Sequence, residues 1–301
     1  MLDSVKIFSA LADPVRAKIT ALLCDREMSV SDIVSVFQMG QSRISRHLRI
    51  LSDAQILKPR RDGLWVRYSI TQDGKINKLL LSLKSWLPDV ESYIKRLNKL
   101  HNKQKYNTKM LFNRVAKRWG YFRKTFLGTK DLTDTILSIL PECRIAADLG
   151  CGTGDFLPIL NKKAKFVIGV DASQSMLNAA RQKFGNGFDL RLGELEHLPL
   201  ANNEVELCLC MFVLHYLPEP GEGIKEIWRV LKPKGNLFLV ELKSHKDQEL
   251  VSSLKVIHSG FSVEYMLDLL KKSGFSACAL KSVNIRRNLF AQIYKAKKIK
   301  E

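Results

Sequence analysis

The sequence predicts an α/β protein with a smaller α+β unit ahead of it. The α+β unit covers residues 1–100, a basic segment covers 101–130, and a mostly parallel, doubly wound sheet covers 131–301. Three observations carry this reading. A short helix, a tight turn and a basic second helix occupy residues 29–51, and an Asp-Gly turn between two short strands follows at 58–70. From residue 144 onward, strand-like runs alternate with helical ones, beginning with a strand that enters the glycine-rich stretch ADLGCGTGD.

The 301 residues, 46% hydrophobic, suffice for two separate cores. No apolar run approaches the roughly 18 residues of a membrane span, so no membrane partner is expected. The opening MLDSVKIFSALADPVR carries acids early and has no cleavable apolar core, unlike a secretion signal. The six cysteines are scattered without a CxxC pair, which points to a reduced, cytoplasmic protein. Net charge is +19, and residues 95–130 hold twelve Lys and Arg and no acid. Such a run either tracks phosphates or is a solvated linker.

Asp13-Pro14 reads as a helix start, with Asp as N-cap and Pro at the first helical position. Ser29 opens a second helix through Phe37, with Asp32 three residues in. After Met39-Gly40, residues Ile44, Leu48 and Leu51 share one buried face. Ser42, Arg43, Ser45, Arg46 and Arg49 then fall largely on the others, free to enter a major groove and to take guanine edges or phosphates. The hairpin expected around Asp62-Gly63 carries Arg60, Arg61 and Arg67 at its tip and flank, as a basic wing. On these stretches (LADPVRAKITALL, SVSDIVSVFQMGQSRISRHLRILSDAQIL and RRDGLWVRYSI) the chain resembles the winged-helix repressors of the ArsR type. The resemblance implies double-stranded operator DNA as a partner. Many such repressors sense metals, but no cysteine stands in Arg26-Glu27-Met28-Ser29-Val30, and 76–100 holds no acid-His ligand set, so no metal is expected.

Ile76, Leu80, Leu83, Leu87, Val90, Ile94 and Leu97 recur at alternating spacings of 4 and 3, a heptad seam that Pro88 should kink or split. In the resembling family the corresponding helix makes a homodimer; otherwise the seam covers its own domain.

The glycine loop lacks the Gly-Lys-Ser/Thr of a triphosphate cradle. A dinucleotide fingerprint with glycines at 150 and 152 needs another at 155, where Asp155 stands. Asp148 and Asp155 bracket the loop with negative charge, so the expected ligand has no phosphate there and offers a cation. S-adenosyl-L-methionine fits: Gly150, Gly152 and Gly154 allow close approach and Asp148 receives the ammonium. Asp171, about twenty residues on at a strand's end, accepts the ribose hydroxyls, with Ala172 beside it. Glu194 and the Leu195 N–H face the adenine after a third strand over 188–192. A fourth strand runs over 205–213, a helix over 223–231, a turn over 232–235, a fifth strand over 236–240, and a late strand over 288–294, inserted antiparallel.

Together DLGCGTG, Asp171, GELEHLPL, VLHYLPEP and RVLKPKGNLFLVE, in this order, resemble the class I methyltransferases with their Rossmann-like sheet, especially small-molecule methylases of the menaquinone-methylation type. The resemblance implies that Cys210 or Met211 lines the cofactor through its backbone. It also implies that LFNRVAKRWGYFR caps the cofactor, although Gly120 stands where an acid often follows the aromatic. Trp119, Tyr121 and Phe122 are either a lid over the methionine moiety or ordinary helix packing. The whole layout resembles a group of ArsR-methyltransferase fusions.

Cys208 and Cys210 alternate on one strand and read as core, and Cys151 as packing. His215, just past the fourth strand, is either a general base or a structural loop histidine, and His245 is similar. The motif shared by amino methylases of nucleic acids is missing after the fourth strand, as is a Pro-Cys nucleophile pair. The acceptor is therefore expected to be a small molecule, activated mainly by alignment. Two functions remain: a transcription regulator that is also a methyltransferase, or a non-catalytic repressor that senses S-adenosylmethionine or S-adenosylhomocysteine.

Overall fold

A computed structural model of the chain describes residues 4–120, 130–286 and 289–299. Two compact units divide it, Met1–Gln104 and Lys105–Glu301.

In the first unit, α1 (Ser4–Leu11) precedes α2 (Pro14–Leu23). Asp13 caps α2, accepting from the Val15 and Arg16 N–H groups at 2.9 Å each, while Pro14 supplies the first helical φ. β1 (Met28–Ser29) leads into α3 (Val30–Phe37) through a reciprocal capping box: the Asp32 N–H reaches Ser29 Oγ and the Ser29 N–H reaches Asp32 Oδ2. Gln38, left-handed at φ 53°, stops α3. α4 (Gln41–Asp53) buries Ile44, Leu48 and Leu51 completely. β2 (Leu57–Asp62) and β3 (Trp65–Ile70) form the hairpin, Asp62 pairing with Trp65 across Gly63-Leu64. Gly63 takes φ 58°, which glycine adopts without strain. β3 pairs on its other side with β1, giving a three-stranded sheet.

Pro88 splits the long helical pattern into α5 (Gly74–Ser85) and α6 (Val90–Val115), as its missing N–H requires. All seven seam residues belong to the core of their own unit: Ile76, Leu80, Val90 and Leu97 are buried, and Leu83, Leu87 and Ile94 pack against them. The seam therefore faces the core of its own unit, with Leu83, Leu87 and Ile94 only partly covered there. Lys84–Asp25 at 2.6 Å and Lys18–Asp89 at 3.1 Å tie this segment to α2 and its C-terminal end.

The second unit is built on a seven-stranded sheet. Its elements are α7 (Lys130–Ile139), β4 (Cys143–Leu149), α8 (Leu157–Leu160), β5 (Ala164–Asp171), α9 (Gln174–Phe184), β6 (Asp189–Leu192) and β7 (Val205–Met211). α10 (Pro220–Val230), β8 (Leu231–Leu242), α11 (Gln248–Leu254), α12 (Val263–Lys272), β9 (Phe275–Arg286) and β10 (Leu289–Lys298) complete it. Strand order is β6-β5-β4-β7-β8-β10-β9. Strands β4 to β8 run parallel, and β10 inserts antiparallel between β8 and β9. The chain winds outward from β4 first through β5 and β6, then through β7 and β8, so the order reverses beside β4. In such sheets the ligand crevice lies beyond the strands' carboxyl ends at this switch point.

Two local expectations change. The Lys232–Gly235 turn is a bulge within β8: Val205 pairs with Leu231, Leu207 with Asn236, and Lys234 takes φ 67°. The late antiparallel strand also has a partner beyond the expected elements, β9, with which it pairs along its length. Among the described residues no helix is long and apolar enough to cross a membrane.

Candidate cofactor site and nucleic-acid face

At the carboxyl end of β4 the chain turns sharply, and the Gly150 and Cys151 N–H groups both donate to the Val170 carbonyl of the neighbouring strand, at 2.8 and 3.0 Å. Gly150, Gly152 and Gly154 all have left-handed φ, at 77°, 55° and 78°. A Cβ on Gly150 would also run into Val213 Cγ2, so position 150 excludes a side chain on two grounds.

The Gly152 N–H donates to Asp171 Oδ2 at 2.8 Å, and the Ser173 N–H donates to Asp171 Oδ1 at 2.8 Å. Each oxygen keeps acceptor capacity for a hydroxyl pair. Burial raises the Asp171 pKa, and the two N–H groups partly offset that. Ala172 is half-buried between them. Ser173 Oγ also caps α9 through the Met176 N–H and donates to Asn113 Oδ1 at 2.6 Å. Asp148, buried at the end of β4, completes the acidic set.

Asp155 does not add to it. Lys183 holds its carboxylate in an ion pair, and Thr153 donates to it at 3.3 Å. The expectation that Asp155 charges the loop is therefore corrected, since Lys183 offsets its charge, and Asp148 and Asp171 are the carboxylates at the two strand ends. The loop also leads only into α8, a single turn with little helix dipole to offer a phosphate.

Trp119 lies over the loop, its Nε1 3.4 Å from where a Cβ on Gly152 would be. Phe112 meets Trp119 edge-on at 5.3 Å and Tyr216 at 4.9 Å. Tyr121 and Phe122 lie outside the described residues. Glu194 is half-exposed, 3.9 Å from Lys105, which pairs more closely with Glu196 at 2.7 Å. The Leu195 side chain is core and packs on Gly223. Met211 ends β7 and is half-buried, followed by Phe212 at φ 57°, a strained backbone at the crevice edge.

His215, the candidate general base, is 1% exposed, and its Nδ1 lies 2.7 Å from Glu241 Oε2. His245 Nδ1 accepts from the Asp247 N–H. Cys208 and Cys210 are core residues whose thiols burial pushes far up, and Cys151 is likewise raised by burial, Asp148 and Asp171. Among the described residues no group of His, Cys, Asp and Glu gathers to hold a metal.

On the first unit Ser42, Arg43, Ser45, Arg46 and Arg49 are all exposed on α4. The wing differs from expectation. Arg61 and Lys58 are exposed, but Arg60 is held by Glu27 at 2.9 Å, and Arg67 is 4% exposed where β3 pairs with β1. A side chain enclosed in its own sheet cannot reach a phosphate, so Arg67 leaves the candidate interface.

Asn113, Phe112, Lys105 and Val213 were not singled out as functional in the sequence. Each takes its role from a partner at least sixty positions away, and only the likeness of the segment around Trp119 to a cofactor cap pointed near them.

Known proteins resemble both units. The "Methyltransferase domain" family matches residues 147–239, and the "Bacterial regulatory protein, arsR family" matches residues 13–58. The demethylmenaquinone methyltransferase of Lactiplantibacillus plantarum is 32% identical over 163 residues, covering 50% of this chain and 68% of that protein. An uncharacterised methyltransferase-like protein of Schizosaccharomyces pombe is 42% identical over 116 residues, 38% of this chain and 44% of that one. The malonyl-[acyl-carrier protein] O-methyltransferase of Yersinia pestis is 32% identical over 106 residues, 35% of this chain and 39% of that one. The chain thus spans less than half the length of these last two relatives. A crystal structure of a SAM-dependent methyltransferase from Thermotoga maritima superposes with a TM-score of 0.51 at 22% identity, covering 63% of this chain and 99% of that one, and shares the fold. The chain belongs to the S-adenosylmethionine-dependent methyltransferases and carries an arsR-family helix-turn-helix in its first unit.

Gly150→Ala tests the cradle. The clash with Val213 and the positive φ should cost at least about 1–3 kcal/mol of stability and abolish binding of S-adenosylhomocysteine. Chemical denaturation and calorimetric titration report the two effects.

Proposed function

We propose that this chain binds S-adenosylmethionine at the carboxyl ends of β4 and β5, transfers its methyl group to a small molecule, and binds operator DNA through α4. The observation that carries the proposal is the Asp171 carboxylate, clamped by the Gly152 and Ser173 N–H groups beside a loop of three left-handed glycines.

The bound cofactor supplies an electrophilic methyl on a sulfonium. Asp171 accepts the ribose hydroxyls with Ala172 beside it, and Asp148 receives the ammonium. Glu194 and the Leu195 N–H face the adenine, Met211 lines the crevice, and Trp119 shields the glycine loop from water. With His215 enclosed, no described side chain is assigned to proton transfer, and alignment does the work. The likeness to a demethylmenaquinone methyltransferase supports a small acceptor. The exposed basic row on α4 supports duplex DNA as the other partner, with Arg61 and Lys58 on the wing. A homodimer is supported by apolar residues exposed on α1, on α5 and at the C-cap of α5: Val5, Phe8, Leu81 and Trp86. Six free cysteines support a reducing, cytoplasmic setting.

Asp171→Ala should lower affinity for S-adenosylhomocysteine by more than about 100-fold, since each charge-assisted hydrogen bond is worth about 1.5–3 kcal/mol. Calorimetry decides it, and an unchanged dissociation constant removes Asp171 from the site. Arg46→Ala should weaken operator binding, whereas Arg61→Ala should reduce the salt slope by about one phosphate equivalent. Gel shifts across a salt series separate the two behaviours. Trp86→Glu should convert dimer to monomer in sedimentation velocity. A wild-type chain that sediments as a monomer at every concentration removes the homodimer.

A further inference from the structure

Glu241, on β8, is wholly buried, and nothing in the proposed binding chemistry uses it. A carboxylate in such a place persists only if its oxygens are paired. Here Oε1 accepts from the Leu214 N–H at 2.7 Å, and Oε2 lies 2.7 Å from His215 Nδ1. Both partners belong to one turn, Leu214–Tyr216, which follows the carboxyl end of β7 at the mouth of the crevice. The other side of that turn is held as well: the His215 carbonyl accepts from the Ile257 and His258 N–H groups.

A row of rings starts at this turn. His215 and Tyr216 lie 4.3 Å apart, Tyr216 meets Phe112 edge-on at 4.9 Å, and Phe112 meets Trp119 edge-on at 5.3 Å. The last ring is the one above Gly152. Edge-to-face pairs have preferred separations, so fixing the first ring restricts where the last can stand.

We infer that the Glu241–His215 pair is a positioning device for the lid. By pinning Tyr216 it sets the Tyr216–Phe112–Trp119 row, and through that row the height of the indole above the glycine loop. Glu241 and His215 are positioning residues that tighten cofactor binding from below the crevice. The inference rests on the reading of Asp171 and the glycine loop as the cofactor site.

A double-mutant cycle on the full chain tests it, with S-adenosylhomocysteine as titrant and calorimetry as readout. Glu241→Gln keeps the shape of the side chain and should weaken binding about tenfold in the native background. In a Trp119→Leu background the same change should weaken it less than about twofold, because the ring it acts through is gone. Equal losses in both backgrounds would mean a merely structural role and would overturn the inference. Where Glu241→Gln unfolds the protein, His215→Gln replaces it in the cycle, since it removes the ring of the buried pair and keeps a side chain able to meet Glu241. It should show the same dependence on Trp119, and additivity there would equally overturn the proposal. Failure of the underlying reading looks different. A native chain that does not bind S-adenosylhomocysteine, or Asp171→Ala binding it unchanged, would remove the site itself and the inference with it.

Discussion

One carboxylate held by two backbone N–H groups organises the second unit's crevice. Asp171 ties the glycine loop after β4 to the end of β5 through Gly152, and to the start of α9 through Ser173. Ser173 in turn caps that helix and binds Asn113 on α6. The loop, a helix start and the segment leading to Trp119 all take their positions from this one group. Burial lifts its pKa above the ordinary value. The stability of the protonated form is therefore present in acid and lost as pH rises through the folded-state pKa. At neutral pH, where the carboxylate is charged, burying Asp171 therefore costs stability.

Much of the fold was legible because its signals are local. Asp13-Pro14 and the Ser29–Asp32 box satisfy orphan N–H groups within three residues, so the pattern and the physics coincide. The parallel order of β4 to β8 was written in strands alternating with helices. The placement of the candidate site was legible for the same reason: Asp148, the three glycines and Asp171 lie at the ends of two adjacent strands.

What was not legible depends on distant partners. The regular spacing from Ile76 to Leu97 shows that one face is apolar, but not whether the chain's own α2 or a second copy covers it; it lies in the unit's own core. Arg60 and Arg67 look alike in the sequence to Arg61. Only the pairing of β1 with β3 and the nearness of Glu27 separate them. Asp155 is compensated by a lysine twenty-eight residues away. Bulge and turn use the same residues, so Lys232–Gly235 reads as a turn until its register with β7 is known. His215 meets Glu241 of β8, twenty-six positions away, and no periodicity in its neighbourhood announced that.

The pKa of Cys151 has a chemical consequence. A site that holds an activated methyl donor must keep its own sulfur from becoming the acceptor. Cys151 sits in the glycine loop itself, and only a thiolate is an effective nucleophile. Burial, with Asp148 and Asp171 nearby, holds the thiol well above its ordinary pKa and therefore protonated. Packed beneath the loop against Gly169, the loop's own sulfur is thus a protonated core group and a poor nucleophile.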